Sequence, residues 1–139
     1  MHKVSEIDKA YLAGLIDGEG CIGVSIKSNK SLQVALEVCM TTPAPLRWAH
    51  HITGCGNVYK CKVVSNHRPT YKWVVGNNTE SGDVVRSMLP YLKVKGAQAR
   101  IFSALTRLRT LNSPGKPKQK FVRELEIVFC RCIHRLKTI

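Results

Sequence analysis

The chain of 139 residues carries 22 Lys and Arg against 9 Asp and Glu, which gives a formal net charge of +13 at pH 7. That length predicts one domain over residues 1–139, and the excess positive charge favours a polyanionic partner. No apolar run approaches the roughly 18 residues of a membrane span, and the N-terminus lacks the apolar core of a signal peptide. We therefore expect an intracellular protein of a bacterial cytoplasm or organelle matrix, neither secreted nor membrane-bound.

The first predicted element is a helix over residues 6–17, with Ser5 as its N-cap. It runs into the segment LAGLIDGEG, residues 12–20. Glycine in a helix interior costs about 0.5–1 kcal/mol relative to alanine, and acids at a helix C-terminus face the negative end of the helix dipole. A segment that breaks two local rules is a candidate functional site.

Each of the two irregularities has a functional and an ordinary explanation. Gly14 and Gly18 are spaced so that a second helix could approach closely, and Glu19 could project beyond the helix toward a divalent cation. If two copies of the helix met along these glycines, their Glu19 side chains would arrive together. The ordinary alternatives are a glycine C-cap at Gly18 or Gly20 and a solvated loop acid, which from the residues alone is the commoner outcome.

Two β-hairpins are predicted next, with a helix between them. Alternating apolar residues between Ile22 and Met40 indicate the first hairpin, and Thr42 is expected to cap a helix that runs to about Thr53. The second hairpin is predicted over residues 57–64 and 70–76, with Tyr71, Trp73 and Val75 on its apolar side. Trp73 and Trp48 are both expected in the core.

Three helices are predicted after the hairpins, over residues 79–89, 96–111 and 121–136, with NSPGKPKQK as a loop before the last. The expected fold is therefore α+β, with a four-stranded antiparallel sheet, helices on its apolar face and extra C-terminal helices. The six cysteines are expected to be reduced thiols. In the string CxCxH, Cys130 and His134 alone share a helical face, so a metal role is improbable.

At this point the sequence resembles the LAGLIDADG homing endonuclease family. The segment LAGLIDGEG is similar to the family signature, and LPYLKVKGAQAR at residues 89–100 is similar to its second shared element. The α-ββ-α-ββ-α order also matches. The resemblance implies a site-specific nuclease that uses Mg²⁺ or Mn²⁺ to break both DNA strands across the minor groove, leaving short 3′ overhangs.

The resemblance also implies roles for particular residues. Glu19 would be the metal-binding catalytic carboxylate, with Gly18 beside it at the metal, and Asp17 would shape the helix end. Lys95 would assist water activation or stabilise charge near the scissile phosphate. Thr42 falls roughly where some members carry a water-organising side chain, although MTTPAP departs from the family pattern and the alignment there could shift by one residue.

A single copy of the motif implies a homodimer, because family members with two motifs fold as pseudo-symmetric monomers. The expected dimer interface comprises Tyr11, Gly14, Leu15 and Gly18. The double-stranded DNA target should then be pseudo-palindromic, since the two-fold symmetry of a protein is mirrored in its site.

The polar face of the predicted sheet supplies the DNA-binding candidates, because the major groove admits a β-ribbon. The base-contacting candidates are Ser25, Lys27, Asn29, Gln33, Glu37, Asn57, Tyr59 and Lys72. The phosphate-contacting candidates are Lys30, Lys60, Lys62, Arg68, Lys116 and Lys118. Any one of these is as readily explained as a solvated charge.

Two other functions fit the same fold. An RNA maturase would bind its own intron RNA and assist splicing without cutting DNA. A catalytically silent DNA-binding protein would need neither Glu19 nor a metal.

Overall fold

A computed structural model of the protein describes residues 2–29, 31–111 and 120–137. Its helices and strands follow the predicted α-ββ-α-ββ-α order with two further helices, which confirms the α+β fold. The elements are α1 Glu6–Glu19, β1 Gly20–Ile26, β2 Leu32–Met40, α2 Ala44–Thr53, β3 Asn57–Lys60, β4 Tyr71–Val75, α3 Asn78–Met88, α4 Gly96–Leu111 and α5 Lys120–Lys137. None of the helices in the described ranges is long and apolar enough to span a membrane.

The four strands form one antiparallel sheet in the order β1-β2-β4-β3. Because side chains alternate along each strand, the register divides the sheet into two chemically different faces. We call one of them the polar face; it carries Cys21, Gly23, Ser25, Gln33, Ala35, Glu37, Cys39, Asn57, Tyr59, Lys72 and Val74. The helices cover the other face, which is apolar.

The core lies between the apolar face and the helices. Leu36 and Trp73, on neighbouring strands β2 and β4, are fully buried there, and Phe102 of α4 is buried in the same cluster. The indole Nε1 of Trp73 donates to the carbonyl of Cys55 at 3.0 Å, so its single polar atom is satisfied. Trp48 packs against this core but is half-buried, and its ring meets Tyr11 edge-on with centroids 4.9 Å apart.

The last helix packs against β1, which is an edge strand of the sheet. His134 Nε2 lies 2.9 Å from the Val24 carbonyl oxygen, and the Cys130 thiol lies 3.9 Å from the same atom. This confirms that Cys130 and His134 share one face of α5. Their contacts occupy an edge carbonyl that would otherwise be open to another strand.

Two local predictions were wrong. The N-cap of α2 is Pro43 rather than Thr42, and no side chain caps this helix, because proline has no side-chain oxygen to accept a hydrogen bond. The second hairpin is shorter than predicted, with strands over residues 57–60 and 71–75. Between them the chain turns at Asn66, which has a φ of 66°, before Pro69. Because Pro69 has no backbone N–H to donate to a neighbouring strand, it favours a start of β4 after this residue.

Three of the predicted phosphate-contacting residues, Lys30, Lys116 and Lys118, lie outside the described residues. The predicted loop NSPGKPKQK lies outside them as well, except for Lys120, where α5 begins.

The two faces of the sheet predict different costs for removing an aromatic ring. Trp73→Ala should lower the free energy of unfolding by about 3–5 kcal/mol, because it empties a fully buried site. Tyr59→Ala, on the adjacent strand β3 and directly opposite Lys72, should cost far less because Tyr59 is 54% exposed. Urea denaturation measures both. Similar losses for the two variants would contradict the assignment of the faces.

Candidate functional site

The C-terminal end of α1 is tied to the segment that precedes α4. The carboxylate of Asp17 accepts backbone hydrogen bonds from Lys93 at 2.7 Å, Val94 at 3.2 Å and Lys95 at 2.9 Å. Because α4 begins at Gly96, this places a negative charge at its N-terminus, where the helix dipole favours one. Asp17 therefore stabilises the beginning of α4 although it belongs to the end of α1.

Lys95 makes the reciprocal contact. Its ammonium donates to the carbonyl of Ile16 at 2.8 Å and to that of Asp17 at 2.6 Å. These carbonyls belong to the last turn of α1, the negative end of its dipole, where a cation is stabilising. An ammonium has three hydrogens, and two of them are used here.

The environment of Asp17 favours its charged form. Partial burial of the carboxyl would by itself raise the pKa of Asp17, but hydrogen bonds from the three backbone amides and the charge of Lys95 outweigh it, so that the pKa is lowered. Asp17 is therefore a structural anion, and its oxygens are already occupied by backbone donors.

Glu19 has a different environment from Asp17. It is the last residue of α1 and is exposed. Its side chain borders an open cavity of about 260 Å³ whose other lining residues are Cys39, Met40, Thr41 and Thr70. Thr41 thus lies beside Glu19, whereas the predicted Thr42 does not line this cavity and is exposed. Thr41 is the residue directly before Thr42 in the irregular MTTPAP segment.

The end of α1 offers oxygen ligands of the kind that hard divalent cations prefer. Glu19 provides an exposed carboxylate, and Gly18 belongs to the last turn, where α-helix carbonyls have no partner within the helix. Within the described ranges, no group of three or more His, Cys, Asp or Glu could hold a metal ion. These residues fit Mg²⁺ or Mn²⁺ if other ligands, such as phosphate oxygens, complete the coordination.

One face of α1 is uncovered. Ile7 is 82% exposed and Tyr11 is 57% exposed, whereas Leu15 on the same side is half-buried. No heavy atom outside the neighbouring backbone lies within 4 Å of the Cβ position at Gly14 or at Gly18. The predicted interface residues therefore share an open, largely apolar face of the helix.

The polar face brings most of the predicted base-contacting side chains together. Ser25 stands opposite Gln33 at the far end of β1, and these residues border a concavity above Gly23 and Ala35. Lys72 Nζ forms an ion pair with Glu37 Oε2 at 3.1 Å. The exposed residues Asn57 and Tyr59 lie on the outer strand β3, and Lys27 follows the end of β1.

Four other DNA-binding candidates lie elsewhere. Asn29 stands in the turn after β1, where its side-chain oxygen accepts hydrogen bonds from the amide and hydroxyl of Ser31. Lys60 lies at the end of β3, at a position that alternates with Tyr59 and so belongs to the apolar face, but it is exposed. Arg68 and Lys62 lie in the exposed connection between β3 and β4.

The sequence prediction missed two features of the site. Thr41, which borders the Glu19 cavity, was not among the predicted residues, and neither was Lys137 of α5, whose ammonium lies 3.2 Å from the Cys21 thiol on the polar face. The amphipathic pattern of α5 could have indicated that this helix packs near the sheet. It could not have indicated which strand the helix meets.

The Asp17 contacts predict a pH-dependent contribution to stability. Asp17→Asn should lower the free energy of unfolding by about 1–3 kcal/mol at pH 7, since an amide oxygen accepts more weakly than a carboxylate. Folding lowers the pKa of Asp17 below the usual value of about 3.9, so its contribution is complete above that value and is lost as the pH falls through the folded-state pKa. The difference between wild type and variant should therefore shrink in acid.

Chemical denaturation at neutral pH and at about pH 3 measures this effect. The control is Asp83→Asn, which removes a partly exposed ion pair with Arg86 within one helix and should cost only about 0–1 kcal/mol. A neutral-pH cost for Asp17→Asn no larger than that of the control would contradict the structural role of Asp17.

The chain is similar in sequence to a known DNA endonuclease. DNA endonuclease I-CvuI from Chlorella vulgaris is 34% identical over 100 residues, which cover 66% of this chain and 59% of the relative. The match thus spans less than two thirds of the length of that relative.

Solved structures show the same fold. An archaeal intron-encoded homing endonuclease, I-Vdi141I in complex with DNA, has a TM-score of 0.80 at 18% identity over 94% of this chain and 84% of its own. The homing endonuclease I-TnaI has a TM-score of 0.70 at 20% identity over 99% and 96%. The sequence model of the LAGLIDADG endonuclease family matches residues 12–104, which include the α1 motif and Lys95. The chain therefore belongs to the LAGLIDADG endonuclease family.

Proposed function

We propose that this chain is a site-specific DNA endonuclease that acts as a homodimer and depends on Mg²⁺ or Mn²⁺. The observation that carries the proposal is the arrangement at the end of α1. There an exposed Glu19 stands between the uncovered glycine face of the helix and the beginning of the sheet that carries the polar face. One short segment thus adjoins a candidate subunit contact, a metal ligand and a DNA-binding surface.

Double-stranded DNA is the proposed substrate. Between Cys21 and Gly76 the chain has seven basic residues and one acid, and the polar face is a twisted β-surface of the kind that fits a major groove. Among the fold neighbours, I-Vdi141I was solved in complex with DNA and I-CvuI in complex with its target. Ser25, Gln33, Asn57 and their neighbours would contact bases, while Lys60, Lys62 and Arg68 would contact phosphates.

Divalent metal is proposed because of the oxygen ligands at the end of α1. Glu19, together with the Gly18 carbonyl, would hold the ion against the phosphate. A bound ion of this kind stabilises negative charge as it develops on phosphate oxygens. I-CvuI complexes were studied with Ca and with Mg, which is consistent with such a ligand set.

Lys95 is proposed to stabilise the reacting phosphate. Two of its ammonium hydrogens are used by the Ile16 and Asp17 carbonyls, which fix the head group two residues before Glu19. The third hydrogen would donate to a phosphate oxygen or to the attacking water. Thr41, in the same cavity as Glu19, is better placed than Thr42 to orient a water molecule.

A homodimer is proposed because a single chain has one Glu19 and two DNA strands must be cut. The open face at Gly14 and Gly18 allows close approach of a second α1, and the exposed Ile7 and Tyr11 would be buried by it. A two-fold axis along this contact would bring the two Glu19 side chains together. The target would then be an inverted repeat.

Glu19→Gln tests the catalytic assignment. The variant should bind the target DNA but cut it at least about hundredfold more slowly, because an amide is a much poorer ligand for a hard cation than a carboxylate. Gel-shift titration and a time course of cleavage with Mg²⁺ measure the two properties separately. Glu124→Gln, which changes an exposed acid of α5 in the same way, should bind and cut as wild type does. Unchanged cleavage by Glu19→Gln would refute the mechanism.

Gly14→Leu tests the dimer. The Cβ position at Gly14 is open within the isolated chain, and leucine is a better helix former than glycine, which costs about 0.8–1 kcal/mol relative to alanine, so the fold should persist. It would nevertheless separate two α1 helices. We expect a folded monomer that no longer makes double-strand breaks, measured by sedimentation and by plasmid linearisation.

The control for this experiment is Ala104→Leu, which adds the same side chain to an exposed position of α4. It should remain dimeric and active. A Gly14→Leu protein that stays dimeric and cuts both strands would show that the interface lies elsewhere.

A further inference from the structure

One acid stands on a surface proposed to bind a polyanion. Glu37 is the single Asp or Glu between Cys21 and Gly76, and the register places it on the polar face rather than toward the core. Its charge repels phosphates, so it weakens any binding that depends on the net charge of the sheet. A carboxylate there is better explained by a partner that offers hydrogen-bond donors.

Glu37 is held by Lys72. Lys72 Nζ lies 3.1 Å from Glu37 Oε2, and the two residues occupy the central strands β2 and β4. Glu37 stands opposite Val74 and Lys72 stands opposite Cys39, so the ion pair runs diagonally across two adjacent strands. The residues opposite them on this face are uncharged, and the nearby Lys137 ammonium contacts the thiol of Cys21, the residue opposite Glu37 on β1. The pair therefore places a positive and a negative group side by side at the middle of the surface.

Stability alone does not account for this pair. Both side chains are 37% exposed, and ion pairs with that much solvent contact stabilise folded proteins only weakly. The hydrogen bond with Glu37 and the charge of Glu37 raise the pKa of Lys72, so its ammonium stays protonated and keeps its hydrogens. The pair thus presents a fixed donor beside a fixed acceptor.

Each member of the pair has further hydrogen-bonding capacity. One ammonium hydrogen of Lys72 is used by Glu37, which leaves two. Glu37 uses Oε2 for Lys72, and its other oxygen, Oε1, can accept from a different donor. In the major groove, a G·C pair shows the acceptors N7 and O6 of guanine side by side, followed by the N4 donor of cytosine.

We propose that Glu37 and Lys72 act as one unit that recognises a single G·C base pair in each half of the DNA target. Lys72 donates to guanine O6 and N7, and Glu37 Oε1 accepts from cytosine N4. This inference deepens the proposed endonuclease function and rests on it. An A·T pair fits less well. Its N6 donor separates the acceptors N7 of adenine and O4 of thymine, so the lysine could reach only one acceptor at a time.

The test is a binding selection from a DNA library, sequenced for wild type, Lys72→Met and Glu37→Gln. Wild type should select a G·C pair at one position of each half-site by roughly tenfold or more over other pairs. Both variants should lose that preference at the same position and keep the preferences elsewhere. Circular dichroism shows that each variant is folded.

Lys62→Met is the matched control, because Lys62 is an exposed lysine of the loop between β3 and β4 and is assigned to phosphate. It should weaken binding uniformly with no change in base preference. Preferences lost at two different positions, lost at an A·T pair, or not lost at all would overturn the paired recognition while leaving the endonuclease proposal intact. A wild-type protein that selects no DNA site would overturn both.

Discussion

The reciprocal contact between the end of α1 and the beginning of α4 is the constraint on which the rest of the site depends. Asp17 satisfies backbone amides of residues 93–95, and Lys95 returns its ammonium to carbonyls of the last turn of α1. Each helix end thereby receives the charge that its dipole favours. Tyr91 of the same segment donates to Glu6 at the other end of α1, so this short stretch holds the helix at both ends.

This constraint explains how two acids can occupy one helix terminus. Asp17 has a structural role, because its carboxylate holds the backbone of residues 93–95. The ammonium of Lys95, which Asp17 helps to position, offsets the unfavourable interaction of the acids with the negative end of the α1 dipole. Glu19 is thereby free to face outward beside the polar face. The same geometry leaves Gly14 and Gly18 uncovered, because the contacts that hold α1 involve its ends and its buried side.

The sequence allowed the architecture to be predicted well, because hydrophobic periodicity and turn residues are local signals. The Ser5 cap and the bounds of α4, residues 96–111, are confirmed, as is the division of β4 into a Trp73 side and a Lys72 side. The strand order and the cover of the β1 edge by His134 depend on contacts between distant residues, so no local pattern contained them. The second hairpin was overextended because residues 61–64 include two β-branched valines, which favour strands, although the strand ends at Lys60.

The site was predictable in its parts but not in its connections. The motif directed attention to Glu19 and Lys95, whereas the backbone contacts of Asp17, the proximity of Thr41 to Glu19 and the pairing of Glu37 with Lys72 required coordinates. The central claim is that a homodimer of this chain cuts a symmetric DNA site with a divalent metal ion held by Glu19. The most direct measurement is a cleavage selection on a randomised duplex library, with Mg²⁺ or with a chelator. The account predicts one long inverted-repeat site that is cut in Mg²⁺ and intact in chelator; a site without two-fold symmetry, or cleavage that ignores the chelator, would contradict it.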